Sequence, residues 1–331
     1  MQVLLAVLLA AGSASSSASR AQLSDPERVR IPRVLRVPAD FSTIQRAIDR
    51  ARDGDVVLVA PGRYRESIDF RGKAIEVLAF EGAGRTSLGF GGPAVKFANG
   101  EGSDSVLSGF TITGGLSSYD SPGGGISCVD ALNHPTAPLI TDCIIEHNGA
   151  DFLEGASVAG GVYGNPILER CILRQNNAFV SAGALYGAPI LVQCLVENNT
   201  ACRGAGMQLF SGARLRDCLI RGNRITPCVY HGVVFSGFGG GIETLGDDVR
   251  IEGCVLTDNV IDEFTELGDP GSCRGVNRGG AVSAGSGVTL ARCTIYGNST
   301  EQCAFVGGIE GAPTLVDCIV RGNEDPSGYY A

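Results

Sequence analysis

Seven times the chain spells a cysteine, four residues and then an asparagine. An aliphatic residue lies three before each cysteine and another two after it. The pairs are Cys143 with Asn148, Cys171 with Asn176, Cys194 with Asn199, Cys218 with Asn223, Cys254 with Asn259, Cys293 with Asn298 and Cys318 with Asn323. Their flanks read Ile140/Ile145, Leu168/Leu173, Leu191/Val196, Leu215/Ile220, Ile251/Leu256, Leu290/Ile295 and Leu315/Val320. Successive units lie 28, 23, 24, 36, 39 and 25 residues apart. A short constant block with elastic gaps marks a solenoid: the block is a strand and turn stacked on its copies, and the gaps are loops.

From Gly123 onward each unit also has a glycine-led strand, as in Gly124-Gly125-Ile126, Gly160-Gly161-Val162 and Gly240-Gly241-Ile242. Glycine there permits positive φ or close packing of one coil on the next. Three strand signals precede the repeats, Val56 to Ala60, Ser67 to Phe70 and Ala74 to Phe80, separated by Pro61-Gly62 and Arg71-Gly72 turns. In the degenerate unit over residues 93–114, Gly109 and Gly114 are expected at the cysteine and asparagine places. The pattern predicts an all-β, single-stranded, right-handed parallel β-helix of about ten coils with three strands per turn. A short helix with Ser42 as N-cap, its apolar face Ile44, Ala47, Ile48 and Ala51, is expected to cover the open N-terminal end. The asparagines are read as a structural ladder, each amide donating to the next and accepting from its neighbour.

Residues 3–11 form an apolar run too short to cross a bilayer, with Ser19-Arg20-Ala21 as a cleavage site. The expected organisation is a signal peptide over 1–21, a disordered linker over 22–35 and the β-helix domain over 36–331. That places the mature protein outside the cytoplasm, secreted or at the cell surface, as a monomer with no membrane insertion. The repeat cysteines are expected inside the coil as small core hydrophobes. Of the other five, Cys202 with Cys228 and Cys273 with Cys303 fall on consecutive coils as candidate disulfides, and Cys128 is left over.

The formal charge is -9, and Lys73 and Lys96 are the two lysines. With no basic stripe to follow a phosphate backbone, nucleic acid is not an expected partner. An acidic surface also repels polyuronates unless arginines gather locally or a divalent cation intervenes.

The opening Asp40-Phe41-Ser42-Thr43-Ile44-Gln45-Arg46-Ala47-Ile48, followed by Gly54-Asp55-Val56-Val57-Leu58-Val59-Ala60-Pro61-Gly62-Arg63-Tyr64-Arg65-Glu66, resembles that of pectin methylesterases. With the repeats, the stretch 36–325 is similar to the pectate lyase-like superfamily, including many exported bacterial β-helix proteins. The resemblance implies the fold, an extracytoplasmic setting and a polysaccharide partner. It brings no catalytic set. The Asp-Phe-aromatic-Gly segment of pectin methylesterases is missing, as are the Asn-Thr-Asp and Arg-Ile-Lys segments of polygalacturonases. Gly246-Asp247-Asp248 matches one polygalacturonase piece, but it stands where other coils have a tight turn, and the turn is the favoured reading.

Two features point to a site. The longest gaps, Arg224–Phe238 with Tyr230 and His231, and Val260–Arg278 with Asp262, Glu263, Glu266, Asp269 and Arg274, all project from one flank. Loops on a rigid scaffold are where sites form. Beside them, the residue after each glycine-led apolar position should face outward: Ser127, Tyr163, Tyr186, Gln208, Glu243, Ser283, Glu310. Tyr163 and Tyr186 are candidates for stacking on sugar rings, with Gln208 and His231 as further binding residues. Glu243 and Glu310 lie two coils apart, ~9.6 Å, near the upper end of the ~6.5–9.5 Å used by inverting glycosidases. A lyase would instead use Arg274 or Arg278 as base, with calcium neutralising a uronate. No cofactor is otherwise called for, and no loop has calcium-ligand spacing. His134, His147 and His231 form no metal set. The expected function is polysaccharide binding along one face, with cleavage by lyase or glycosidase chemistry as its enzymatic form. The rival is a non-catalytic surface or adhesion protein.

Overall fold

The computed structural model describes residues 31–325 except 118–120, 130–135, 151–157, 227–228, 231–232, 235–236, 263–264, 267–268, 274–276 and 301–303. For 229–230, 233–234, 265–266, 269–273, 277 and 304–305 the backbone alone is described. The expected signal peptide and most of the expected linker lie outside these residues.

The described residues wind into coils whose strands stack into four all-parallel sheets of 11, 10, 7 and 9 strands. One coil shows the order: Leu139–Thr141, Ile144–Glu146, Gly149–Ala150, then Val162–Gly164. These strands supply the first, second, third and fourth sheets respectively. This is the parallel β-helix, with the three expected strands per turn and a fourth of two residues directly after each asparagine from Asn148 to Asn298. The short strand escapes sequence reading because two residues carry no periodicity.

Register follows the repeat. Ile140, Leu168, Leu191, Leu215, Ile251, Leu290 and Leu315 stack in the first sheet. Ile145, Leu173, Val196, Ile220, Leu256, Ile295 and Val320 stack in the second. Both columns point into the core. In the last described coil, by contrast, Leu315 and Val320 are exposed, with no described coil stacked on them. The cysteines sit at the corner between the two columns. All seven are free thiols, and those at 171, 194, 293 and 318 donate to the carbonyls of Ile140, Leu168, Ile251 and Leu290 on the preceding coil. Burial, with the neighbouring Cys171 thiol adding, pushes the Cys143 thiol well above its ordinary value.

Sharp corners explain the block's length. The residue before each repeat cysteine and the one before each repeat asparagine have positive φ, for example Asp142 at 55° and His147 at 53°. In the degenerate coil the glycines occupy these corners, Gly109 at 76° and Gly114 at 71°. The expected placement is therefore shifted by one: Phe110 and Gly115 hold the cysteine and asparagine places. Their backbone N–H groups donate to Cys143 Sγ and Asn148 Oδ1 on the next coil, at 3.4 and 3.0 Å.

The asparagine ladder is complete. Each side-chain amide from Asn148 to Asn298 donates to the Oδ1 of the next asparagine at 2.8–3.1 Å. That same oxygen also accepts the backbone N–H of the donating asparagine. The second amide hydrogen reaches a carbonyl on the preceding coil, as from Asn223 to Val196 O at 3.0 Å. All seven side chains are at most 2 % exposed. Each bond contributes about 0.5–1.5 kcal/mol net.

The N-terminal helix, Ile44–Arg50, buries Ile44, Ala47 and Ile48 and packs on the strands Val34–Val37, Val56–Val59 and Ile68–Asp69. Thr43, not Ser42, is the N-cap and accepts from Arg46 N at 3.2 Å, while Ser42 Oγ accepts from the Arg46 guanidinium. Glu66 takes the N–H groups of Ile44 and Gln45, and Lys73 Nζ donates to the carbonyls of Ile48, Asp49 and Ala51. Both helix ends are thus closed by opposite charge. The strand Val34–Val37 begins two residues before the expected domain boundary. Arg33 anchors it, its backbone N–H and guanidinium both held by the buried Asp55.

Candidate functional site

Fourth-sheet strands of three residues turn their first and third side chains inward and the middle one outward. The middle residues run in unbroken register: Asp69, Lys96, Ser127, Tyr163, Tyr186, Gln208, Glu243, Ser283, Glu310. The expected column is present and two coils longer. Asp69 and Lys96 were missed because Glu66-Ser67 and Pro93-Ala94 stand where later coils have glycine. The apolar–polar–aromatic triplets Ile68-Asp69-Phe70 and Val95-Lys96-Phe97 are the signal that finds them. Cys128 continues this strand's inward side beside Phe70 and Phe97, buried and free. Burial, with Glu101 adding, raises its thiol.

Glycine before these strands is a packing requirement. A Cβ on Gly160 would lie 2.3 Å from the carbonyl oxygen of Asn177, and one on Gly183 2.7 Å from that of Thr200. The chain here passes directly over the short third-sheet strands.

A second column stands five residues before the first. Val158, Ser181 and Arg203 are in register, as are Phe238, Arg278 and Phe305. The Gly204 N–H donates to Phe238 O at 2.8 Å and joins the two runs. The two columns touch. Arg203 Nη2 pairs with Glu243 Oε1, and Gln208 Nε2 donates to Glu243 Oε2. The Arg203 guanidinium lies 5.0 Å from the Phe238 ring centroid. Two coils further on, Arg278 Nη1 donates to Glu310 Oε1 at 3.1 Å and Ser283 Oγ to Glu310 Oε2 at 2.8 Å. Sequence reading passed over Arg203. The clue was its place directly before a glycine, shared with Arg278.

Outward does not mean solvated here. Ser127, Gln208, Glu243 and Ser283 are buried, with Glu243 3 % exposed. Burial raises the Glu243 carboxyl above its ordinary value. Gln208 and Arg203 pull the other way without cancelling the rise, and the charge of Glu310 adds to it. Tyr186 is likewise raised, by burial first and then by Tyr163 and Glu243. The Tyr163 and Tyr186 rings stack on each other, centroids 5.2 Å apart and planes 12° apart, and Tyr186 meets Phe210 at 4.9 Å. Coil spacing of about 4.8 Å matches offset stacking, so in-register aromatics pair with one another before they meet a ligand.

The structure thus brings together Tyr163, Tyr186, Gln208, Glu243, Ser283, Glu310, Arg203 and Arg278. His231, Arg274, Cys228 and Cys303 lie outside the described residues, and of Cys273 the backbone alone is described. Cys202 is disulfide-bonded. Among the described residues no three His, Cys, Asp or Glu side chains converge as a metal site, and no helix is long and apolar enough to cross a membrane. A cavity of about 370 Å³ at the N-terminal cap is lined by Asp40, Phe41, Ser42, Arg46, Asp49 and Arg50 and includes no column residue. Asp248 lies in an exposed turn paired with Arg214 at 2.6 Å, in keeping with the turn reading of Gly246-Asp247-Asp248. Neither a family model nor a curated protein sequence matches this chain.

Proposed function

We propose that this chain is a monomeric, exported β-helix protein of the pectate lyase-like superfamily that binds polysaccharide along the fourth sheet. One observation carries the reading: in-register, outward residues of sugar-binding type, linked across coils by Arg203–Glu243 and Arg278–Glu310 pairs. A chain of sugars lying along the coils would meet aromatic edges at one end and paired donors and acceptors at the other. Binding is favoured over cleavage because both oxygens of both glutamates are engaged. The acidic charge and absence of a basic stripe continue to argue against nucleic acid.

A second reading, hydrolysis with inversion, is supported by the raised Glu243 carboxyl as acid and Glu310 as base two coils away. Affinity electrophoresis across soluble polysaccharides, together with reducing-end and unsaturated-product assays, separates the two. Retardation without new ends supports a binding protein. Release of ends that is lost in Glu243→Gln supports the hydrolase. Neither retardation nor product on any polymer would remove the polysaccharide reading.

A further inference from the structure

Glu243 and Glu310 are each held by an arginine and a neutral polar side chain at corresponding positions of the preceding coil. On one coil an arginine and, five residues later, a polar outward residue both bond the glutamate of the following coil. Arg203 and Gln208 hold Glu243; Arg278 and Ser283 hold Glu310. The unit recurs after two coils, ~9.6 Å by strand spacing. Phe238 stands between the two arginines in the same column.

Resting on the polysaccharide reading, we infer that this face is built for an uncharged glycan laid parallel to the coil axis, with Arg203–Glu243 and Arg278–Glu310 as two clamps for sugar hydroxyls and Phe238 as the apolar spacer between them. Each clamp joins one guanidinium to one carboxylate, so neither offers a spare cation to a uronate or sulfate. At Arg278, N–H donors stand beside the Glu310 carboxylate, whose side chain is 21 % exposed, while the buried Glu243 holds the exposed Arg203 guanidinium in place as a donor. A hydroxyl pair on adjacent ring carbons, which both gives and takes hydrogen bonds, is complementary to that arrangement. Donor capacity remains on Arg278, which meets Glu310 through Nη1. Both arginine side chains keep exposure, 38 % for Arg203 and 45 % for Arg278. The net charge of -9 further disfavours an anionic polymer.

The test is affinity electrophoresis of the full chain in hydroxyethylcellulose, galactomannan, xylan and polygalacturonate, at low and raised sodium chloride. The expected result is retardation by at least one neutral polymer, insensitive to salt, and none by polygalacturonate. Arg278→Ala and Glu310→Ala, both at partly exposed positions, should each weaken binding about tenfold, or 1.4 kcal/mol. Tyr296→Ala, on the second sheet, should leave it unchanged. Salt-sensitive retardation by polygalacturonate alone would overturn the neutral-glycan inference while the binding face stood. Neutral binding untouched by Arg278→Ala and Glu310→Ala would overturn the clamps. No retardation by any polymer would overturn both this and the reading beneath it.

Discussion

The asparagine ladder and the outward column of the fourth sheet climb the same coils, yet they use repetition in opposite ways. Inside the corner, seven identical amides are joined by six bonds of one kind, one from each coil to the next. On the outer face, nine aligned positions carry six different residue types, from Asp69 to Glu310. Identity at a stacked position is what closure of the scaffold demands, since each amide must satisfy its copy. Variety at a stacked position is free of that demand. In a solenoid, departure from the repeat marks where something other than folding has set the residue.

The contrast breaks most sharply at the ladder's centre. Asn223→Ala leaves the Asn199 amide and the Val196 carbonyl without their partners, and urea unfolding should show a loss of about 3–5 kcal/mol. A loss below about 1 kcal/mol would mean that the ladder is ornament. Next in size is Gly160→Ala, whose Cβ meets the Asn177 backbone; a loss of about 2–4 kcal/mol is expected in the same measurement.

Asp55 extends the comparison to the N-terminal cap. Burial opposes its charge, but hydrogen bonds from Arg33 and Arg52 outweigh this and hold the carboxyl well below the usual range. A depressed folded value means stabilisation that is present above the unfolded value, near 3.9, and lost as pH falls through the folded one. Asp55→Asn should therefore cost about 1–3 kcal/mol at neutral pH, with the gap from wild type closing in acid melts.

The smallest effect belongs to the outer column. Glu243→Gln should change stability at neutral pH by about 1 kcal/mol or less, and the sign of its pH dependence is opposite to that of Asp55. Glu243's folded value is raised, so its contribution is full below the ordinary value of 4.5 and lost as pH rises through the folded value. Melting wild type and variant across that range checks it. A loss at neutral pH as large as that of Asn223→Ala would show Glu243 to be scaffold as well.

Much of this was legible in the chain. A five-residue offset between cysteine and asparagine fixed the corner, and the aliphatic flanks fixed register, because a buried strand cannot slip by one residue without exposing its core face. The outward column was readable for the same reason. What escaped depended on contacts between columns. Nothing in the local sequence of Arg203 says that its guanidinium reaches a glutamate 40 residues on. The one-place error at Gly109 and Gly114 has a related cause: positive φ draws glycine to the corner itself, while cysteine and asparagine take the place just after it.

The ladder also has direction. In each amide-to-amide bond, from Asn148 to Asn298, the Nδ2 donor has the lower residue number and the Oδ1 acceptor the higher. Lifting out one whole turn of chain would leave a donor facing an acceptor, so the rod could shorten or lengthen by complete turns without stranding a polar group. Its length is thus a free variable, and the outward column on its flank can be extended or cut in units of one turn.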